Sequence, residues 1–190
     1  WPSSFKIGID GIYKTEVKDE VPVDTWVFSP LIVEARTRDG NGQNWGLLLS
    51  VQSPDGHWHR WAMPMQLLGG NGSAYREILL SLGLQVPHAQ KHLHTYLATA
   101  RPERMVRCVD KMGWHGKAYV LMDASLGNTE EELFLQSTAQ NLFRANGSLH
   151  NWQKHLGDFC TGNSRLVFAA CAGLAAPLLK ICGMDGGGFN

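Results

Sequence analysis

The sequence predicts an α+β fold: an N-terminal antiparallel β-meander with packed helices, ending in an apolar helix. Three observations predict it. Apolar and β-branched runs in the first third are separated by hairpin-type turns, Asp39-Gly40-Asn41-Gly42 and Ser53-Pro54-Asp55-Gly56. Cap residues, Ser73 and Ser148, precede stretches with helical apolar spacing. The run from Leu166 to Leu179 is apolar nearly all round and rich in Ala and Gly, the pattern of a core helix, since it is shorter than a membrane span.

Taken in order, Phe5–Tyr13 predicts a short strand, and Val27–Arg36 a longer one in which Pro30 marks an edge or a bulge. Trp45–Gln52 and His57–Met63 predict two further strands around the second turn. Ser73 is expected to cap a helix with Ile78, Leu79 and Leu82 on its apolar face, closed by Gly83. After Pro87 a second helix is expected over His88–Thr99. Arg104–Val109 and Ala118–Met122 predict strands, with Gly113-Trp114-His115-Gly116 as a turn and Leu133–Gln136 as another short strand. Ser148 caps a third helix, and Asn163 or Ser164 opens the last, which Pro177 should kink. The closing Met184 to Asn190 reads as the approach to a buried strand, so the chain reads as a piece of a longer protein. The expected organisation is a module over residues 1–162, followed by a lead-in helix and the first strand residues of another domain over 163–190.

Charge is balanced, 17 Lys+Arg against 17 Asp+Glu, so no global field favours nucleic acid or an anionic membrane. The balance is uneven along the chain. Residues 88–117 carry six basic side chains against two acidic ones, and 118–135 carry four acidic and no basic ones. A polyanion site is therefore expected in the middle stretch. The candidates are Lys91, Arg101, Arg104, Arg107, Lys111 and Lys117 for phosphates, with Trp114 for stacking on a base and His115 beside it. Core packing is the competing role for Trp114. Arg104 and Arg107, three residues apart, are expected on opposite faces of a strand.

Other chemistries find little support. Cys108, Cys160, Cys171 and Cys182 contain no CxxC pair, and Cys171 and Cys182 would lie about 16 Å apart on one helix, too far for a bridge. Buried reduced thiols fit a cytoplasmic protein. His57 and His59 share a strand face without a third ligand nearby, and His88 and His92 have zinc spacing without the HExxH glutamate. No metal site is therefore expected. No GxSxG elbow accompanies the serines, and no catalytic residue is assigned.

Several stretches together resemble one family of bacterial, phage and mobile-element proteins, the domain of unknown function 927 family. They include Ser29–Arg36, Asn44-Trp45-Gly46, Leu82-Gly83-Leu84, Tyr96-Leu97, Val109–His115, Gly147–Trp152, Gly162-Asn163, Ala172–Leu179 and Gly187–Asn190. The resemblance covers nearly the whole chain in order. It implies the accessory N-terminal part of an ATP-dependent DNA helicase or primase-helicase of a phage, plasmid or integrated element. In that family, the segment like Gly187–Asn190 leads into a phosphate-binding loop, so ATP and magnesium are expected for the parent protein and no cofactor for this stretch. Expected partners are single-stranded or forked DNA, the chain's own ATPase domain and a second copy of the chain through an exposed helix 164–182; no membrane partner is expected. The rival reading is an oligomerisation or protein-interaction module without DNA contact, favoured by the neutral net charge. An independent hydrolase or metal enzyme stands third.

Overall fold

The structure, a computed structural model, describes residues 4–18, 20–86, 90–122, 124–127, 131–136, 146–184 and 186. The expectations for Pro87, His88 and the terminal 187–190 lie outside these residues. The described chain is α+β, as the sequence predicts. Its contacts divide it into two compact units, residues 1–111 with 129–136, and residues 112–128 with 137–190.

The first unit holds two sheets. Strands β1 (Phe5–Ile7), β2 (Ile12–Lys18) and β3 (Val21–Phe28) form an antiparallel meander. Strands β4 (Leu31–Arg38), β5 (Gly46–Gln52) and β6 (Trp58–Pro64) form a second meander. Beyond β6 come a 3-10 turn (Met65–Gly69) and helices α1 (Ser73–Ser81) and α2 (Gln90–Thr99). The chain then returns as β7 (Met105–Val109), which lies parallel to β4. Strand β11 (Glu132–Leu135) adds in parallel outside β7, giving the order β11-β7-β4-β5-β6. The expected meander is thus two meanders, and the second grows into a mixed sheet.

Pro30 has a larger effect than an edge or bulge. It divides the expected strand Val27–Arg36 between the two sheets. Proline has no N–H to donate to a ladder, and the break is bridged instead by loop partners. Ser29 N–H donates to the Gln85 carbonyl at 3.0 Å, and Gln85 N–H donates back to Ser29 Oγ at 3.0 Å. The register irregularity of β4 falls later, between Val33 and Ala35. Helix α1 also starts differently. Ser73 is its first residue, and Asn71 Oδ1 accepts from the Ser73 N–H at 3.0 Å and from its hydroxyl at 2.8 Å. Its buried face is Tyr75 and Leu79, while Ile78 is exposed.

One face of the larger sheet carries the core. Leu31, Val33, Leu47, Leu49, Val51 and Met63 pack against Tyr75, Leu79, Leu93, Tyr96 and Leu97, and Phe5, Ile12, Val27 and Phe28 of the smaller sheet close the same cluster. Tyr96 is its centre. Its ring meets Phe5 and Phe28 edge-on at 5.2 and 5.3 Å, and its buried hydroxyl donates to the Leu31 carbonyl at 2.8 Å. Burial pushes its phenol pKa far upward, so it remains a neutral donor.

In the second unit, β8 (Gly113–His115), β9 (Ala118–Val120) and β10 (Ser125–Gly127) form an antiparallel sheet. Gly113–His115 was expected as a turn and is a strand: only Gly116 and Lys117 reverse the chain, and Trp114 pairs with Tyr119. Helix α3 (Leu149–Trp152) is capped by Ser148 Oγ, which accepts from the Asn151 N–H. It continues through a π-helical stretch, Gln153–Gly157, into α4 (Asp158–Cys160). Helix α5 (Ser164–Ala175) begins at Asn163, whose Oδ1 accepts from the Leu166 N–H, and gives way at Pro177 to a 3-10 turn, Ala176–Leu178. Val167, Phe168, Leu174 and Leu178 are exposed, so the apolar run 166–179 lacks the all-round burial of a core helix and presents the exposed surface expected of residues 164–182. Among the described residues no helix is long and apolar enough to cross a membrane.

The turn between β4 and β5 is built on one carboxylate. Asp39 Oδ1 accepts from the Asn41 and Gln43 N–H groups, each at 2.8 Å, and Oδ2 accepts from Asn44 Nδ2 at 2.8 Å. These bonds, the Gln43 one foremost, hold its pKa below the ordinary value of 3.8. A depressed carboxylate contributes stability in full above its unfolded pKa and loses it as pH falls through the folded value. In an NMR titration, the Asn41 and Gln43 amides are expected to shift together with a midpoint below 3.8, and D39N is expected to abolish that transition. A second expectation concerns the core: Tyr96→Phe should cost about 1 to 2 kcal/mol in denaturant unfolding, because the Leu31 carbonyl loses its buried donor, and Tyr96→Ala about 3 to 5 kcal/mol.

Candidate nucleic-acid interface

The basic residues singled out from the sequence fall into different environments. Lys91 to Lys111 belong to the first unit, and Trp114, His115 and Lys117 to the second. Lys91 stands exposed at the start of α2. The half-buried His92 beside it has a lowered pKa, through burial first and then the positive charges of Lys14 and Lys91. Lys14, on β2, therefore belongs to the same basic corner as Lys91, while ion-paired with Glu16 at 3.0 Å.

At the other end of α2, Arg101 is exposed, and its Nη1 donates to the Ala98 and Ala100 carbonyls at 2.7 and 2.8 Å. This is a guanidinium satisfying the last carbonyls of a helix and complementing its dipole. One guanidinium nitrogen is committed to the backbone, and the charge still faces solvent.

Arg104 is tied down more fully. Its Nη2 pairs with Glu132, and its Nη1 lies 3.4 Å from Glu34 Oε2. Arg60 Nη2 reaches the same two carboxylates, at 2.7 Å from Glu34 and 3.5 Å from Glu132, and its guanidinium lies 5.3 Å from the Phe134 ring centroid. Two arginines and two glutamates thus form one network on the sheet face away from the helices, with Ser50 Oγ donating to Glu34. Arg107 is half-buried in β7, beside Arg38 of β4 in register. Arg38 Nη2 donates to Glu131 Oε1 at 2.6 Å. Arg104 and Arg107 therefore do not share a basic face.

In the second unit, the Trp114 indole is half-buried. Its Nε1 donates to the Pro177 carbonyl at 2.5 Å and its ring meets Tyr119 edge-on at 5.3 Å. Lys180 Nζ donates to the Trp114 carbonyl at 2.7 Å. The hairpin is thereby fastened to the turn that follows α5, and packing accounts for the indole. Lys117 stands exposed at the hairpin tip.

Sequence reasoning missed Lys14, Arg38 and Arg60 because they come from the β-rich first third. Only the β2, β4 and β6 placements bring them near the later basic stretch. Among the described residues, no group of three or more His, Cys, Asp or Glu side chains is arranged to hold a metal ion.

These two units define an α+β module with basic side chains at several separate points. Its fold is shared with part of a known helicase. A solved structure, the SCCmec type IV Cch active helicase, matches 82% of this chain with a TM-score of 0.56 and 17% sequence identity. This chain spans 30% of that protein. The model of the family described as Domain of unknown function (DUF927) matches residues 5–190. The chain belongs to that family. Comparison with curated proteins finds no significant match.

Neutralising the carboxylates should release the arginines they hold. E34Q combined with E132Q is expected to delay elution from a heparin column more than E77Q combined with E103Q. Both pairs change net charge equally, and Glu77 and Glu103 are exposed outside the network.

Proposed function

We propose that this chain is the accessory N-terminal module of an ATP-dependent DNA helicase or primase-helicase, guiding DNA beside the motor. In this reading residues 163–190 lead into the ATPase domain of the longer protein, which supplies ATP and magnesium chemistry. The observation that carries the reading is the shared fold with part of an active helicase. The family match over nearly the full chain supports it, as does the exposure of Lys91, Arg101 and Lys117. Their charges suit phosphate contacts that hold a strand without reading its sequence. The source of the longer protein, a phage, plasmid or integrated element, remains part of the proposal.

A second reading is favoured by a specific observation. Phe168, Leu174 and Leu178 expose apolar surface on and just after α5, as an assembly surface would. On this reading the module organises subunits, and DNA contact belongs to the motor.

Fluorescence anisotropy with labelled single-stranded and forked DNA separates the two. Guiding predicts binding that weakens with salt, and K91A with R101A should weaken it further. Each lost phosphate contact should flatten the slope of log K against log salt by about 0.7 on single strands. No binding even at low salt, with concentration-dependent association in sedimentation, favours the assembly reading.

A further inference from the structure

The geometry points to the cleft where β4, β5 and β6 meet the Asp39 turn as a pocket for one unpaired nucleobase, with Trp45 as its stacking platform. The choice of ligand rests on the DNA-guiding reading above. The cleft has a volume of about 400 Å³ and lies within the first unit, in the size range of small-molecule sites. Its polar lining is Thr37, Asn44, Gln66, Cys108 and Gln136, beside Trp45.

None of the described lining residues carries a charge. Burial raises the Cys108 thiol pKa, opposed by its bond with Thr37, so the sulfur stays protonated at neutral pH. A phosphate or carboxylate would find no cation among these residues, and an ammonium no anion. A neutral group with both donors and acceptors suits the wall, because amide side chains offer both. Asn and Gln amides are the side chains that pair with base edges. The half-exposed Trp45 indole adds the apolar, π-rich surface on which bases of any sequence stack.

The cleft is also held in shape. Asn44 has a left-handed backbone, φ 52°, and its amide is oriented by Asp39 through the 2.8 Å bond. The Trp45 carbonyl accepts from the Met65 N–H at 2.9 Å, fixing the residue at the start of β5. Gln136 donates from its main chain to the Val109 carbonyl and from Nε2 to the Ala62 carbonyl at 3.2 Å. At Gly46, a Cβ would stand 2.5 Å from the Met63 carbonyl and 2.7 Å from Thr37 Oγ1. Only glycine lets β4, β5 and β6 close up at this end. A wall fixed by the main chain before a ligand arrives spends little binding energy on ordering.

The test uses the 190-residue chain and three probes: labelled oligothymidine, an abasic oligonucleotide of the same length, and an oligothymidine carrying a photo-crosslinking thymidine analogue. The abasic strand keeps sugar and phosphate and lacks only bases. The proposal expects weaker binding of the abasic strand and crosslinks mapping to the peptides that contain Trp45 or Gln66. W45A should weaken oligothymidine binding by roughly 5- to 100-fold, with an unchanged salt slope. W45F should keep most of the affinity. Circular dichroism checks each variant; where W45A does not fold, Q66A, which should also weaken binding, and the crosslink map decide. Equal binding of abasic strand and oligothymidine, wild-type affinity in folded W45A or in Q66A, or crosslinks confined elsewhere overturn the cleft and leave DNA guiding standing. Absence of binding by every strand overturns both.

Discussion

One hydroxyl in the dry centre of the first unit fixes how its two sheets relate. Tyr96 is fully buried, its ring lies against one aromatic from each outer strand of the smaller sheet, and its hydroxyl is spent on the first carbonyl of β4. A buried phenol without a partner would be costly, so α2 can seat only where that carbonyl is. The position of β4 follows, and with it the crossing at Ser29 and Pro30, which the Gln85 exchange holds. Because β4 is the strand on which β5 and β7 both pair, the register of the larger sheet depends on this one junction.

The same register sorts chemistry along the sheet's other face. In the β5–β6 pairing, Ser50 lies opposite Arg60, Leu48 opposite Ala62, and Gly46 opposite Pro64. Moving along that ladder, the face begins with the Arg60–Glu34–Arg104–Glu132 network. It passes a small apolar patch of Ala35, Leu48, Ala62 and Val106 and ends in the neutral cleft. The ion network is partly open to solvent, which screens its charges and limits what it adds to stability. Its physical effect is to occupy two guanidinium groups that would otherwise face a polyanion.

The sequence disclosed the parts governed by local chemistry. Turn residues at 39–42 and 53–56, the Ser148 and Asn163 caps and the Pro177 break all act over a few residues, and each appears in the structure. Pairings across long separations left no local trace. Arg104 finds Glu34 seventy positions away, and Lys14 of β2 acts on His92 together with Lys91. A basic stretch read along the chain shows its charges and not their partners, which the fold supplies to Arg104 from Glu34 and Glu132. Trp114 and Trp45 show the same limit. Their residue type gave no reason to prefer one, yet packing holds the first and the second lines an open cleft. The apolar run of α5 shows that periodicity reports how a helix is composed, not what covers it.

On the guiding reading, exposed cations and a neutral cleft would do different work on a moving strand. Phosphate contacts by Lys91, Arg101 or Lys117 would hold through charge, be indifferent to base identity and weaken as salt rises. A base lodged against Trp45 and neutral amides releases few ions, so its hold persists across the same range of salt. On the guiding reading the two are complementary. Charge keeps the strand near the module while a motor pulls, and a single stacked base sets where the strand sits. Base–aromatic stacking of about 1 to 3 kcal/mol is strong enough to bias position and weak enough to be broken at each step. A charged pocket would bind the backbone itself and slow translocation. On the guiding reading, a cleft whose described lining residues hold no ionisable side chain apart from a protonated thiol thus has the property that a passing strand would require.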